Sequence, residues 1–284
     1  MPGSTFKVVT TTTGLEDGVL TLDTQFPVES SYTPPNTTHA IKNYGGASCG
    51  GDLTEVFRRS CNTPFARTGV NLGADRWAAG VEKFGLKDEA APIDLPNPAK
   101  STVGPTDDLD NNQGILALNA FGQGNDAITP LQMAMVAGTV ANGGKTMKPF
   151  VIDTTKDQNG DVLSRTAPSV WRTPMTPQTA QTLNGLMVEV VNNGTAKCCM
   201  QLANGVQAAA KTGTAQLNAE GQPQRSHAWI IAFAPAESPR YAIAVVLKGV
   251  NDEISAGTGG KLAGPVAKTV LDYALSHEKG TGRP

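Results

Sequence analysis

The stretch that most restricts how this chain can fold is Ser4 to Gly18, where a helix has to run through four consecutive threonines, Thr10 to Thr13. β-Branched residues lose side-chain freedom in a helix, and their hydroxyls compete for backbone hydrogen bonds. A helix that persists through such a run is held by burial on several sides. The pattern therefore predicts a central core helix from Ser4 to Gly18, opened by Gly3-Ser4 and ended by Glu16-Asp17-Gly18. On it Ser4 and Lys7 stand at i and i+3 and share one face. A neutral lysine beside a serine can take the hydroxyl proton and make the oxygen a nucleophile.

Ser-x-x-Lys alone arises by chance about once per few hundred residues. The chain carries a second copy, Ser276-His277-Glu278-Lys279, read as a solvated helix end. What singles out Ser4 is its company. Ser60-Cys61-Asn62 is an S-x-N triplet and Lys211-Thr212-Gly213-Thr214 holds a K-T-G run. Alone, Ser60 and Asn62 read as helix caps. In the order S-x-x-K, S-x-N, K-T-G the three form the serine set of penicillin-binding proteins and some β-lactamases. The chain thus resembles the penicillin-binding transpeptidases, in particular the class B type of actinobacteria. A fourth segment adds to the resemblance: Gly122-Gln123-Gly124, then Thr129-Pro130-Leu131-Gln132, then Ala141-Asn142-Gly143-Gly144.

Composition narrows the alternatives. With 284 residues, 39% hydrophobic and 17% charged, the chain reads as globular, of one large or two small domains. A net charge of −2 gives no electrostatic case for a nucleic acid partner. Four cysteines without C-x-x-C spacing and three scattered histidines predict no metal site, and no cofactor is expected. Free thiols are the simplest expectation for Cys49, Cys61, Cys198 and Cys199. In an extracytoplasmic setting a bond from Cys49 to Cys198 or Cys199 is permitted, whereas the adjacent pair closes only a strained ring. Gly46-Ala47-Ser48-Cys49-Gly50 matches the G-x-S-x-G elbow, but the polar stretch before it lacks the buried strand that elbow needs, so it is read as a flexible loop.

Along the chain, Asp52 caps a helix through Leu53, Val56 and Phe57, and another helix follows Thr63-Pro64. Asp75 to Leu86 has helical period, Pro92 to Asn112 reads as a surface loop, and Thr129-Pro130 opens a helix to Asn142. Asn159-Gly160 marks a hairpin, and Thr176-Pro177 starts a helix to Asn193. The strands come late, at Val206 to Leu217, His227 to Phe233 and Tyr241 to Leu247, before a helix from Leu262 to Ser276. Short connections between these runs favour antiparallel pairing. The expected fold is α/β of the α+β type: a mainly antiparallel sheet flanked by helices, with a mainly helical subdomain over residues 52–142 and one transpeptidase-like domain over 1–284.

The resemblance implies roles for the motif residues. Ser4 is the nucleophile, Lys7 its base, Ser60 a proton relay to the leaving nitrogen, and Asn62 an orienter of Lys7 and holder of a substrate amide. Lys211, Thr212 and Thr214 bind a terminal carboxylate, while Gly213 leaves room for substrate against the strand. The backbone N–H groups of Ser4 and Thr214 form the oxyanion hole. The implied substrates are D-alanyl-D-alanine stem peptides of peptidoglycan and β-lactam antibiotics, with proteins of the division or elongation machinery as partners. Ser60 and Lys211 lie 151 positions apart, longer than in compact class A β-lactamases, and the region around Asp88 to Pro98 lacks their Glu-x-x-Leu-Asn string. Hydrolysis of an acyl-enzyme should then be slow, which favours transfer to an amine. D,D-Carboxypeptidase and β-lactamase share the same first step, and a non-catalytic module sensing cell-wall peptides is the alternative of another kind. The family sheet has five strands, two of which precede the serine, along with a membrane anchor and a non-catalytic domain. The expectation here is an extracytoplasmic chain lacking those N-terminal strands, anchored through an upstream segment absent from this chain.

Overall fold

The four threonines are buried, and their hydroxyls show why the helix tolerates them. In the computed structural model, which describes residues 1–104, 109–218, 222 and 225–277, a 3-10 turn at Gly3–Phe6 runs into helix α1 (Lys7–Glu16). Thr11, Thr12 and Thr13 each donate to the carbonyl four residues back, at 2.6, 2.8 and 3.1 Å, and Thr10 donates across to the Ala120 carbonyl at 2.6 Å. Each buried hydroxyl thus has an acceptor, which removes the cost of burying it. Phe6, Val8 and Val9 are fully buried around them, so α1 is the axis of the core.

Helices α2 (Leu53–Arg58) and α3 (Thr63–Lys83) pack beside it. Asp52 caps α2, its Oδ1 accepting from the Glu55 N–H at 2.8 Å. Gly73, at φ 76°, breaks α3 into two helical stretches, the second of which carries the fully buried Trp77 against Phe6, ring centroids 6.3 Å apart. Helix α4 (Gln113–Asn119) and helix α5 (Pro130–Ala141) follow, α5 capped by Thr129 with Pro130 in its first turn. Helix α6 (Pro177–Asn193) is capped by Thr176. Thr176 also donates its N–H and hydroxyl to Glu16 Oε1, both at 2.9 Å, which ties the end of α1 to the start of α6.

Strands β1 (Ala209–Gln216), β2 (Ser226–Ala234) and β3 (Tyr241–Leu247) form an antiparallel sheet in that order. Lys211 stands opposite Ile231, and Ile231 opposite Ala244. Almost all of β2 is buried, so both faces of the sheet are covered. Helices α5 and α6 pack on it, as do the short helix α7 (Asp252–Ala256), a π turn at Gly259–Ala263 and the final helix α8 (Gly264–Ser276). The sheet holds three strands among the described residues.

The expected α+β class, with an antiparallel sheet flanked by helices, is present, with three local corrections. The first concerns the cysteines: none is free, and Cys49 pairs neither with Cys198 nor with Cys199. Its segment forms a strand, Cys49–Gly51, against Phe26–Glu29, and α2 then turns the chain so that Cys61 arrives with its Cα 5.8 Å from that of Cys49. Those two are bonded, and so is the adjacent pair Cys198–Cys199. The same strand replaces the flexible loop expected at Gly50 and Gly51. The third correction is the Pro92 to Asn112 excursion, which is not purely superficial: Lys100–Ser101 pairs with Glu89–Ala90, and the buried Ser101 hydroxyl bonds Gln132. Glu278 and Lys279 of the second Ser-x-x-Lys lie outside the described residues, while Ser276 ends α8 at the surface.

Gly80 of α3 faces Thr13, and a methyl group there would collide with the Thr13 side chain, already committed to the Val9 carbonyl. Gly80→Ala, a change that normally favours a helix, is expected to destabilise the protein by about 1–3 kcal/mol through overpacking. Chemical denaturation of the variant beside wild type measures it.

Candidate active site

The three motifs converge on a cleft of about 730 Å³ between the sheet and the helical part. Ser4 lines it, half-buried, from the 3-10 turn that leads into α1. The turn is fixed to its surroundings by the backbone: the Gly3 N–H donates to the Gly122 carbonyl at 2.9 Å. Gly122 sits at φ 77° and a side chain there would run into the Gly3 carbonyl, so this approach requires glycine.

Behind Ser4, Lys7 is fully buried. Its Nζ donates to the Ser60 carbonyl at 2.8 Å, to Asn62 Oδ1 at 2.9 Å and to Ser60 Oγ at 3.4 Å. Lys211, equally buried on β1, donates from Nζ to Ser60 Oγ at 2.7 Å and to the Thr212 carbonyl at 3.0 Å. Ser60 therefore bridges two lysines. It does so from a backbone φ of 61°, a left-handed conformation uncommon outside glycine and concentrated at functional sites. Aromatic faces complete the surroundings, with Phe65 and Phe121 near Lys7 and Phe57 near Lys211.

Two amines buried with hydroxyl, amide and carbonyl acceptors are poorly solvated as cations. Burial holds Lys7 well below the ordinary lysine value, and the neighbouring Lys211 charge pushes it the same way. Burial alone brings Lys211 down to about 7. The arrangement thus favours at least one neutral amine at neutral pH, which a base for Ser4 requires.

On β1 the side chains of Thr212 and Thr214 and the bare backbone of Gly213 line the cleft. Thr214 also gives direction to its backbone. Its carbonyl accepts from Gln123 Nε2 at 3.2 Å, at the strand edge away from β2. In an extended strand the N–H and C=O of one residue point to the same side, so the Thr214 N–H faces that open edge, where the turn bearing Ser4 runs. All eight motif residues named from the sequence are thereby brought to one site.

Two contributors, Asn43 and Thr195, carried no signal in the sequence, and a third, Gln123, was legible only as part of the Gly122-Gln123-Gly124 segment. Asn43, nearly buried, takes the N–H groups of Asn62 and Thr63 on its Oδ1, at 2.7 and 3.1 Å, and donates to the Glu29 carbonyl at 2.8 Å. It holds the S-x-N loop from outside the motif. Thr195 shares a hydrogen bond with Thr212, oxygen to oxygen 2.5 Å, and Gln123 holds Thr214. Isolated Asn, Thr and Gln residues in loops have many ordinary uses, and only folding brings these beside the motifs.

A serine at a helix start, two buried lysines sharing a second serine and an open strand edge make up the arrangement that the three motifs led one to expect. The model of the penicillin-binding protein transpeptidase domain matches residues 1–272, and the chain belongs to that family. The peptidoglycan D,D-transpeptidase PbpA of Mycobacterium tuberculosis is 40% identical over 283 residues, covering 98% of this chain and 55% of that protein. PbpA of Mycolicibacterium smegmatis is 39% identical over 278 residues, 96% of this chain and 55% of that protein. Among solved structures, a ceftriaxone acyl-enzyme complex of penicillin-binding protein A from M. tuberculosis superposes with a TM-score of 0.85 at 38% identity, over 96% of this chain and 60% of that one. The D,D-transpeptidase domain of a peptidoglycan glycosyltransferase from Eggerthella lenta gives 0.82 at 30% identity, over 96% of this chain and 66% of that one. The chain spans little more than half the length of the PbpA relatives.

The lysines make stability depend on pH. Above about 7 the folded chain has released a proton from Lys211 that the unfolded chain keeps up to the ordinary lysine value of 10.5. The unfolded state then binds more protons, so stability rises with pH across this window and sinks to its lower level as pH falls through 7, at most about 1.4 kcal/mol per pH unit per proton. Denaturant midpoints from pH 7 to 9 should climb, and Lys211→Met should flatten the climb.

Proposed function

We propose that this chain performs the acyl-transfer chemistry of a peptidoglycan D,D-transpeptidase and is acylated on Ser4 by β-lactams. The observation that carries the reading is the Ser60 hydroxyl within reach of both Lys7 and Lys211. In the proposed reaction neutral Lys7 accepts the Ser4 proton as Ser4 Oγ attacks the carbonyl of a D-alanyl-D-alanine peptide. The developing oxyanion lies between the N–H groups of Ser4 and Thr214, donors typically worth a few kcal/mol each. Ser60 passes the proton from Lys7 to the departing nitrogen. Asn62 keeps Lys7 aimed and holds the substrate amide. Lys211, Thr212 and Thr214 hold the terminal carboxylate. An amine then takes the acyl group from Ser4.

The charge around the cleft supports an anionic donor. Lys42, Arg59 and Lys261 line it, Arg59 paired with Glu55, and no Asp or Glu does among the described residues. The relatives named D,D-transpeptidases support the reaction class. By the same reading the chain works outside the cytoplasm, held to the membrane by a segment beyond it, and in company with division or elongation proteins. No helix among the described residues is long and apolar enough to cross a membrane.

Incubation with a fluorescent penicillin, followed by intact mass and peptide mapping, tests the proposal. Wild type should carry one stable adduct, on the peptide containing Ser4, and Ser4→Ala none. Lys7→Met should acylate at least 100-fold more slowly while remaining folded. Rapid loss of label would mark a β-lactamase, and no label on folded wild type would leave the non-catalytic reading. Thr212→Val should slow acylation by carboxylate-bearing β-lactams at least tenfold. Unchanged kinetics would reject Thr212 as part of the clamp.

A further inference from the structure

The two disulfides differ in where they lie. Cys49 and Cys61 are buried, and their bond spans 12 positions. Cys198 is exposed and lines the cleft, whereas Cys199 beside it is nearly buried. A cross-link stabilises a fold mainly by restricting the unfolded chain, and the effect grows with the length of chain enclosed. A bond between adjacent residues encloses none, so Cys198–Cys199 adds little to stability by this route. Its place in the cleft wall calls for another use.

Its neighbours are those of the carboxylate clamp. The pair lies in the turn that follows α6, where the Lys197 N–H donates to the Gly194 carbonyl at 3.2 Å and the Cys199 and Met200 N–H groups donate to the Ala196 carbonyl at 3.1 and 3.0 Å. Thr195, in the same turn, shares the 2.5 Å hydrogen bond with Thr212. On its other side Cys199 meets the π turn. A Cβ at Gly260 would lie 3.6 Å from Cys199 Sγ and 2.5 Å from the Thr195 carbonyl oxygen, and one at Gly264 would lie 3.2 Å from that sulfur. Gly259, the first residue of the π turn, donates its N–H to Thr214 Oγ1 at 3.4 Å. Both threonines of the clamp thus rest on segments that the cysteine pair belongs to or touches.

We propose that Cys198–Cys199 is a redox modification site, opened by dithiols, and that its state sets how firmly the cleft holds the donor's carboxylate; the second part rests on the acyl-transfer reading above. The thiolate of a dithiol attacks Cys198 Sγ, the sulfur on the exposed side, and Cys199 leaves as a thiolate and takes a proton. The second thiol of the reagent displaces Cys198 from the mixed disulfide, and Cys198 takes the second proton. The pair is reduced by two electrons and the dithiol is oxidised to its own disulfide. A disulfide of small thiols runs the sequence backwards. Lys197 precedes Cys198 in the chain and Lys261 lines the same cleft, and nearby positive charge favours the thiolates that the exchange needs. With the bond open, the turn holds Thr195 on Thr212 less firmly and the clamp loosens. The buried Cys49–Cys61 bond is shielded from the same reagent.

Graded dithiothreitol under native conditions, then iodoacetamide and peptide mapping, tests the first part without any acylation. Cys198 and Cys199 should be alkylated at a dithiothreitol concentration roughly tenfold or more below the one that opens Cys49–Cys61, and excess oxidised glutathione should close the pair again. Opening of both bonds together, or thiols that oxidised glutathione fails to close, overturns the proposal. The selectively reduced protein should be acylated by a fluorescent penicillin about fivefold more slowly than the oxidised one, the scale of one lost hydrogen bond. Cys198→Ser, a change at an exposed position, should share that rate and be indifferent to dithiothreitol. Penicillin methyl ester, which lacks the carboxylate, should acylate both forms alike. Equal rates with the carboxylate-bearing penicillin overturn the link to the clamp. Hydrogen exchange reads the same link without Ser4: opening the bond should speed exchange over residues 194–200 and 211–214 and leave α1 unchanged. If neither form takes penicillin, the acyl-transfer reading fails and hydrogen exchange alone decides, unchanged exchange overturning the proposal.

Discussion

Two lysines are buried within reach of one serine hydroxyl, and much of the molecule serves that arrangement. Lys7 and Lys211 come from opposite ends of the chain, one on the core helix and one on the first strand of the sheet. Neither can be a well-solvated ammonium, and each has to spend its hydrogen bonds on neutral acceptors. Such a pair is costly to assemble. Its cost is met by the packing of α1, which is surrounded on all sides, and by the sheet whose middle strand is buried almost throughout. The polar cluster at the base of the cleft is thus held by an apolar core.

The threonine run shows how the core accommodates its own polar groups. Three hydroxyls return to the preceding turn and one reaches the end of α4, so α1 is polar in composition and yet behaves as a core helix. The short Gly3–Gly122 backbone contact then fixes the turn carrying Ser4 against the loop carrying Gln123. Gln123 in turn holds Thr214, so the helix start and the strand edge are registered to each other through two hydrogen bonds. Positioning of the proposed oxyanion donors therefore rests on one backbone contact, Gly3 to Gly122, and one side chain, Gln123.

Much of the fold was legible because its signals are local. Caps such as Asp52, Thr129 and Thr176, the Asn159-Gly160 turn and the apolar runs of the sheet each act over a few residues. What escaped was non-local. Cys61 was readable as the middle of a motif, but its partner Cys49 is set by how the strand at Cys49–Gly51 and α2 fold over each other. The excursion after Pro92 is pinned by Ser101 and Gln132, and neither residue type announces burial.

The sequence by itself determined the chemical inventory: a serine and lysine one helical turn apart, a second serine with an asparagine, and a lysine-threonine-glycine strand, in an order that marks the family. Residue spacing can specify such pairs because helix and strand geometry is regular over short distances. Only the tertiary structure decided that Ser60 stands between the two lysines and that Asn43, Thr195 and Gln123 support the motifs. Those relations join residues tens to more than a hundred positions apart, and they exist only once burial of the core has brought the distant segments together.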